Sequence, residues 1–306
     1  MLHRVGASGR RRDWKAVAGT GCGTGGVITI RLLIGRHAPA GIALCLQYGA
    51  MSENAAAQVG FGIDIGGSGI KGARVDLTTG EFIGERIKIL TPKPATPQAV
   101  ADTVAQIVEQ AQWDGPVGIT VPSVVTEQTA RSAANIDPSW LMTDVQALFR
   151  GVLGSDRAIS VLNDADAAGL AEVAYGNPQA RTGTVLLLTL GTGIGSALLI
   201  DGKLFPNTEL GHLIVDGQEA EHIASSAVKE REELSYSKWA KRVDKVLREY
   251  ERLLWPSLFI VGGGISRKAH KWVPKLTVET PVVPAELRNR AGIVGAAMAA
   301  RDGLQP

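Results

Sequence analysis

The sequence predicts an α/β protein built twice over, with two related halves facing each other across a cleft. Three observations lead there. Phe61, Ile63 and Ile65 alternate with small or polar residues, the period-two pattern of a strand with one buried face. That strand breaks into a glycine turn, Gly66-Gly67-Ser68-Gly69, and continues as Ile70 to Leu77 before turning again at Thr78-Thr79-Gly80. The same design recurs. Thr184 to Leu190 is a second apolar strand, which enters Gly191-Thr192-Gly193-Ile194-Gly195, continues as Ser196 to Ile200 and turns at Asp201-Gly202.

Glycines also make ordinary hairpins. A repeated strand, glycine turn and strand argues for more. A turn without side chains can bring several backbone N–H groups round one anion. A nucleotide or polyphosphate fits between two such turns. Asp64, at the end of the first strand, is placed to hold Mg²⁺, and Lys71 to meet phosphate.

Composition agrees with a folded body of ordinary kind. The chain has 306 residues, 45% hydrophobic and 20% charged, enough for two domains with sizeable cores. The net charge of +2 is unevenly spread. Residues 1–50 hold seven Lys or Arg and one acid, Asp13, which leaves residues 51–306 at −4. A mildly acidic body argues against bulk nucleic-acid binding. Both cysteines, Cys22 and Cys45, lie in the first 50 residues, so the body has neither a disulfide framework nor a cysteine zinc site.

Residues 1–58 differ from the rest. Arg10-Arg11-Arg12 precedes a glycine-rich, patternless stretch, and the apolar runs Val27–Ile34 and Gly41–Leu46 are short. No window reaches the roughly 20 apolar residues of a membrane helix. Gly19–Gly26 interrupts any signal-peptide core. Met51-Ser52 is the expected start of the protein proper, residues 1–50 being translated from an upstream start codon; a flexible basic arm is the other reading. The expected division is an extension over 1–58, a small α/β domain over 59–163 and a large one over 164–306. The C-terminal helix is free to pack back toward the small domain.

Within the body, residues 59–90 pattern as three strands. Thr96-Pro97-Gln98 opens a helix with Pro at an early position. Val100, Val104, Ile107, Val108 and Ala111 give it an apolar stripe, and Asp114-Gly115 is expected to end it. Pro116 to Val121 is a strand followed by a Pro122-Ser123 turn. Ala134 to Pro138 is a turn-rich loop, in which Asn135 can bond its own backbone. Thr143–Leu153 is expected as a helix and Ala158–Leu162 as a strand. Asn163-Asp164-Ala165-Asp166 then opens an alanine-rich helix, and Asn163 or Asp164 suits an N-cap. Residues 227–254 pattern as one long helical stretch with aromatic core positions. Leu258–Val261 is a buried strand leading into Gly262-Gly263-Gly264. Arg267, Lys268, His270, Lys271 and Lys275 follow with no acid before Glu279. That cluster is either a basic surface helix or a track for a polyanion longer than ATP. Ala291 to Arg301 is a helix of small residues that should pack closely.

Six motifs together resemble a known family. They are Gly62–Lys71 (GIDIGGSGIK), Ala134–Trp140 (ANIDPSW), Leu162–Gly169 (LNDADAAG), Leu190–Ser196 (LGTGIGS), Asn207–His212 (NTELGH) and Val261–Lys268 (VGGGISRK). The chain looks like the actin/hexokinase/Hsp70 superfamily from about residue 60 to about residue 302. Within it the chain resembles the ROK sugar kinases, and among these the polyphosphate glucokinases. The resemblance implies an actin/hexokinase-like (ribonuclease H-like) duplicated two-domain fold. It implies glucose as acceptor, ATP or inorganic polyphosphate as donor, Mg²⁺, a cytoplasmic location and a homodimer.

It also assigns roles. Asp164 matches the catalytic aspartate, a carboxylate that accepts the proton of the attacking sugar hydroxyl. Asn135, Asn163, Glu209 and His212 match sugar contacts, and Glu221 stands where another is possible. A carboxylate and an imidazole three residues apart share a face and can clamp neighbouring hydroxyls; a structural histidine is the plain alternative for His212. Gly66, Gly67, Ser68, Gly69, Lys71, Gly191, Thr192, Gly193 and Gly195 match phosphate contacts. Gly263 and Gly264 match an adenosine loop, and Arg267, Lys268 and Lys271 are candidates for polyphosphate. Many ROK proteins carry a zinc-binding cysteine cluster after the histidine. Here Val215 to Ala220 holds no cysteine, so no zinc site is expected. Some ROK proteins are repressors with a helix-turn-helix, but residues 1–58 show no amphipathic helix pair.

Overall fold

The computed structural model describes residues 59–133 and 136–305. The expectations for residues 1–58 and for Asn135 lie outside the described residues. Chain order gives β1 (Val59–Gly66), β2 (Gly69–Asp76), β3 (Glu81–Ile89), α1 (Pro97–Gln110), β4 (Val117–Val121), the short hairpin β5 (Val125–Thr126) and β6 (Thr129–Ala130), α2 (Val145–Leu153), β7 (Ile159–Asn163) and α3 (Asp164–Tyr175). The second half follows with β8 (Thr184–Leu190), β9 (Ile194–Ile200), β10 (Lys203–Phe205), β11 (Ile214–Val215), β12 (Gln218–Glu219), α4 (Ala220–Ala224), α5 (Ser226–Arg231), α6 (Tyr236–Leu254), β13 (Leu258–Gly262), β14 (Val282–Pro284) and α7 (Ala291–Asp302).

The duplication expected from the two glycine turns is present in the topology. The first sheet has the order β3-β2-β1-β4-β7 and the second β10-β9-β8-β13-β14. In each, three antiparallel strands come first and two parallel strands extend the far side. Helices α3 and α7 lie between the sheets, α7 on β1 and β4, α3 on β9, and each on the other. The outer face of the first sheet packs on α1 and α2, and that of the second on α4 and α6.

Small residues make the middle layer possible. A side chain's first carbon at Gly62 would lie 1.8 Å from the Ile293 carbonyl oxygen, and one at Gly118 1.8 Å from that of Ala296. At Gly295 it would lie 1.8 Å from the Ala167 carbonyl oxygen. The glycines of β1 and β4 therefore admit the α7 backbone itself, and Gly295 admits α3.

Element ends differ from the expectations in informative ways. Helix α1 ends at Gln110 rather than at Asp114-Gly115, because Gln112 turns left-handed with φ 48°. Helix α2 starts at Val145, where Asp144 caps it by accepting from the Ala147 N–H, and β7 runs on to Asn163. The helical stretch over 227–254 is two helices. The chain breaks at Glu232–Ser235, Glu233 adopts φ 48°, and Ser235 caps α6 through the Lys238 N–H. Trp239 and Tyr250 are core as expected, whereas Tyr236 is half-buried and faces Lys229 and Lys271. The basic cluster is a 3-10 segment, Gly264–Lys271, kinked at Lys268. Among the described residues no helix is long and apolar enough to cross a membrane.

Candidate active site

The carboxyl ends of the parallel strands converge on a cleft of about 620 Å³ between the sheets. Open α/β sheets place ligands at such strand ends, where the strand order reverses. One wall is the β1–β2 turn (Gly66, Gly67, Ser68) with Pro122 and Ser123 beyond β4. The other is the β8–β9 turn, Gly191 to Gly195, with Glu209 and His212. Asn163 and Asp164 lie at the floor, where β7 passes into α3. A smaller cavity of about 290 Å³ opens beside the first turn, between Thr91–Lys93 and Ile136–Asp137.

Asn163 holds this floor in shape. Its Oδ1 accepts from the N–H groups of Ala165 and Asp166, at 2.8 and 3.3 Å, which caps α3. Its Nδ2 donates to the Ser123 carbonyl at 3.2 Å, which ties α3 to the end of β4. Asp164 then stands as the first helical residue with its carboxylate open to the cleft. Water reaches its surface, yet protein encloses it on the remaining sides. That enclosure, with the charges of Asp64 and Glu209, pushes its pKa up to about 6, against the helix-start N–H groups that pull it down. A carboxylate so poised takes a proton readily near neutral pH.

Asp166 is wholly buried, and burial pushes its pKa to about 7. Its Oδ2 accepts from the Asn207 N–H at 2.8 Å, while Oδ1 has no partner.

Asp64 and Lys71 are a cross-strand pair, with Nζ to Oδ2 at 3.0 Å, and Thr120 Oγ1 donates to Asp64 Oδ1 at 3.3 Å. Neither lines the cleft, nor does Gly69. The Lys71 ammonium is thus engaged by Asp64, a partner that its spacing along the chain did not suggest.

The turn glycines divide by purpose. At Gly67 and Gly191 an added side chain would point into open space. At Gly193 it would meet Glu221 Oε2 at 2.3 Å. That carboxylate enters the second turn and accepts from the Ile194 N–H at 3.2 Å. Gly195 is required by Thr189, whose Oγ1 would lie 2.6 Å from an added carbon. Gly263 has φ 81° and abuts the Leu190 carbonyl, so its glycine is a need of the fold; Gly264 faces open space. Gly263, Gly264, Arg267, Lys268 and Lys271 are exposed and do not line the cleft.

Glu209 and His212 flank the 3-10 turn Leu210–His212, their charged atoms 3.9 Å apart. His212 Nδ1 bonds Glu219 Oε2 at 3.0 Å, which raises the imidazole's pKa and lowers that of Glu219. Burial raises Glu209, His212 lowers it, and Glu221 raises it. Glu221 lines the cleft, as its expected role requires, and Glu219 stands behind His212, because β11, β12 and α4 fold back over the turn; Ser123 and Ser132 line the cleft from the loops after β4. His212, Glu219 and Glu221 each bring one ligand-type atom within 4.8 Å of the others. Cysteine is thus not the only ligand chemistry this wall offers, although His212 and Glu219 already hold each other without an ion.

As a test of Mg²⁺, the carboxylate of Asp64 acts on Asp164 from behind the cleft lining, and its two oxygens are already engaged by Lys71 and Thr120. The like charges of Asp64 and Asp164 are an arrangement that a cation relieves. This fits an ion that keeps most of its water and takes its other ligands from phosphate.

The duplicated sheets and paired glycine turns define the actin/hexokinase-like class. The ROK family model matches residues 60–226, and the chain belongs to the ROK family. The polyphosphate glucokinase of Mycobacterium tuberculosis is 59% identical over 240 residues, 78% of this chain and 90% of that protein. Among solved structures, the inorganic polyphosphate/ATP-glucomannokinase of Arthrobacter sp. strain KM is 49% identical with a TM-score of 0.76, covering 80% of this chain and 99% of its own. A ROK family glucokinase from Streptomyces griseus, solved with glucose and AMPPNP, is 26% identical with a TM-score of 0.66 over 80% and 99% of the two chains.

Proposed function

We propose that the chain is a glucokinase that transfers a phosphoryl group from inorganic polyphosphate, or from ATP, to the 6-hydroxyl of glucose. The observation that carries the reading is Asp164, open to the cleft between two glycine turns and raised to a pKa of about 6. Its relatives' names supply the donor and acceptor.

In this reading Asn163, Glu209, His212, Glu221 and Asn135 hold the sugar hydroxyls. The Gly66–Gly69 and Gly191–Gly195 turns hold phosphate oxygens through backbone N–H groups. The 6-oxygen attacks the terminal phosphorus in line, the bond to the leaving phosphate breaks, and the hydroxyl proton passes to Asp164. Mg²⁺, when bound, neutralises charge on the phosphates, with Asp64 holding it through water. Gly264 faces the adenosine of ATP, and Lys71 positions Asp64. The enzyme acts in the cytoplasm as a homodimer, for which light scattering should give twice the chain mass.

The test is glucose-6-phosphate formation by the full chain with Mg²⁺, comparing ATP with long-chain polyphosphate. Turnover with both is expected. Turnover with ATP alone overturns the polyphosphate assignment, and turnover with neither overturns the kinase reading.

Two further expectations arise here. The kcat/KM should rise through about pH 6 and level above it, because Asp164 must be deprotonated to accept. Asp64→Asn removes a like charge and should move this acid limb to lower pH, whatever it does to the absolute rate. A pH profile of both proteins, with an unmoved limb as the contrary result, decides it. The second concerns Arg267, Lys268 and Lys271, which are exposed. Replacing all three by Ala should raise the KM for polyphosphate about tenfold at low salt and leave that for ATP within about twofold. Equal effects on both donors would reduce the cluster to surface.

A further inference from the structure

Asn207 makes a long-range polar connection beside the cleft. Its side-chain amide meets the main chain of Val125 twice. Oδ1 accepts from the Val125 N–H at 2.9 Å, and Nδ2 donates to the Val125 carbonyl at 2.7 Å. The two residues are 82 apart in sequence and belong to different halves. Val125 is buried in the core of the first sheet, two residues beyond Ser123 of the cleft wall. Asn207 follows β10 of the second sheet and immediately precedes Thr208-Glu209.

Three further contacts fix the loop. The Asn207 N–H donates to Asp166 Oδ2, within α3 and two residues after Asp164. Ser196 Oγ donates to the Thr208 carbonyl at 2.6 Å and accepts from the Leu210 N–H at 3.0 Å. Asn207 itself has φ 60°, a conformation that Asn tolerates better than most residues. Neither Asn207 nor Asp166 lines the cleft.

We infer that Asn207 is a positioning residue: it straps the Glu209–His212 wall to Val125 of the opposite half and so sets the width of the sugar side of the cleft. Asp166 anchors the strap to the helix that begins at Asp164. An amide suits this place. It satisfies the N–H and the C=O of one residue at once, accepting through Oδ1 and donating through Nδ2. An ionised carboxylate only accepts and so matches one of the two. The role in catalysis rests on the glucokinase reading; the strap itself does not.

The experiment uses the full chain and Asn207→Gly, since glycine keeps the left-handed backbone and removes only the amide. Two readouts separate the claims. In amide hydrogen exchange without substrate, Val125 and residues 208–212 should exchange faster in the variant while α1 and α6 stay unchanged. In kinetics, the KM for glucose should rise about tenfold, as expected for two lost hydrogen bonds, while the KM for ATP stays within about twofold. Asp166→Asn, which still offers an oxygen to the Asn207 N–H, should keep the wild-type KM for glucose, whereas Asp166→Leu should raise it. Unchanged exchange at 208–212 overturns the strap. Changed exchange with an unchanged KM for glucose overturns its role in the sugar site. A wild-type protein that does not phosphorylate glucose refutes the kinase reading and the sugar-site role together, and exchange then decides the strap alone.

Discussion

Asp164→Asn should leave a folded protein that still binds glucose but loses about 10²–10⁴-fold in kcat, the range for removal of a general base. The substitution keeps size and hydrogen bonding and removes only the ability to take a proton. No neighbour stands ready to substitute. Asp64 is paired with Lys71 and Thr120, and Asp166 is wholly buried with one oxygen committed to Asn207. Because Asp164 is raised mainly by enclosure and then by Asp64 and Glu209, the variant should also relieve repulsion. Its thermal midpoint should therefore equal or exceed that of the wild type. Steady-state kinetics with a melting curve checks both parts, and a kcat within about threefold of wild type would remove Asp164 from the mechanism.

The second large effect is on stability. Gly62→Ala, Gly118→Ala and Gly295→Ala should each cost more than about 3 kcal/mol, near the upper range for overpacking. In all three the new carbon would lie 1.8 Å from a backbone carbonyl oxygen, of Ile293, Ala296 or Ala167. A side chain can rotate away; a helix backbone held between two sheets cannot. The change would push α7 off the first sheet or off α3, and the cleft is built across that layer. Gly151→Ala in α2 is the control. Nothing lies within 4 Å of the added carbon and φ is not positive there, so stability should rise by about 0.5–1 kcal/mol. Urea denaturation of the four proteins gives the comparison.

These two expectations were not equally visible beforehand. Asp164 stands in a motif at a strand end, so its place could be anticipated from local pattern. The glycines of β1 and β4 looked like small residues in strands, and nothing in their spacing indicates α7, more than 170 residues away. Lys71 shows the same limit. Following a glycine turn, it suggests phosphate; the antiparallel register of β1 and β2 sets it opposite Asp64. Glu221 reaches the second turn, and Glu219 reaches His212, only because β11, β12 and α4 fold back there. The break between α5 and α6 could have been read from Ser235, a capping residue inside a helical pattern.

What the sequence by itself determined is local and repeated. The two strand–turn–strand units, the helix start at Asn163-Asp164, the α1 stripe and the small-residue terminal helix all follow from periodicity, capping and glycine, which act over a few residues. The repeat of that design also indicated that two glycine turns could share a cleft. Only the tertiary structure decided which groups within that cleft answer each other. It paired Asp64 with Lys71, brought Glu221 into the Gly193 turn, and set Asn207 on Val125 across 82 residues. Such contacts depend on the packing of distant elements, and a carboxylate or amide carries no mark of its partner until that packing is complete.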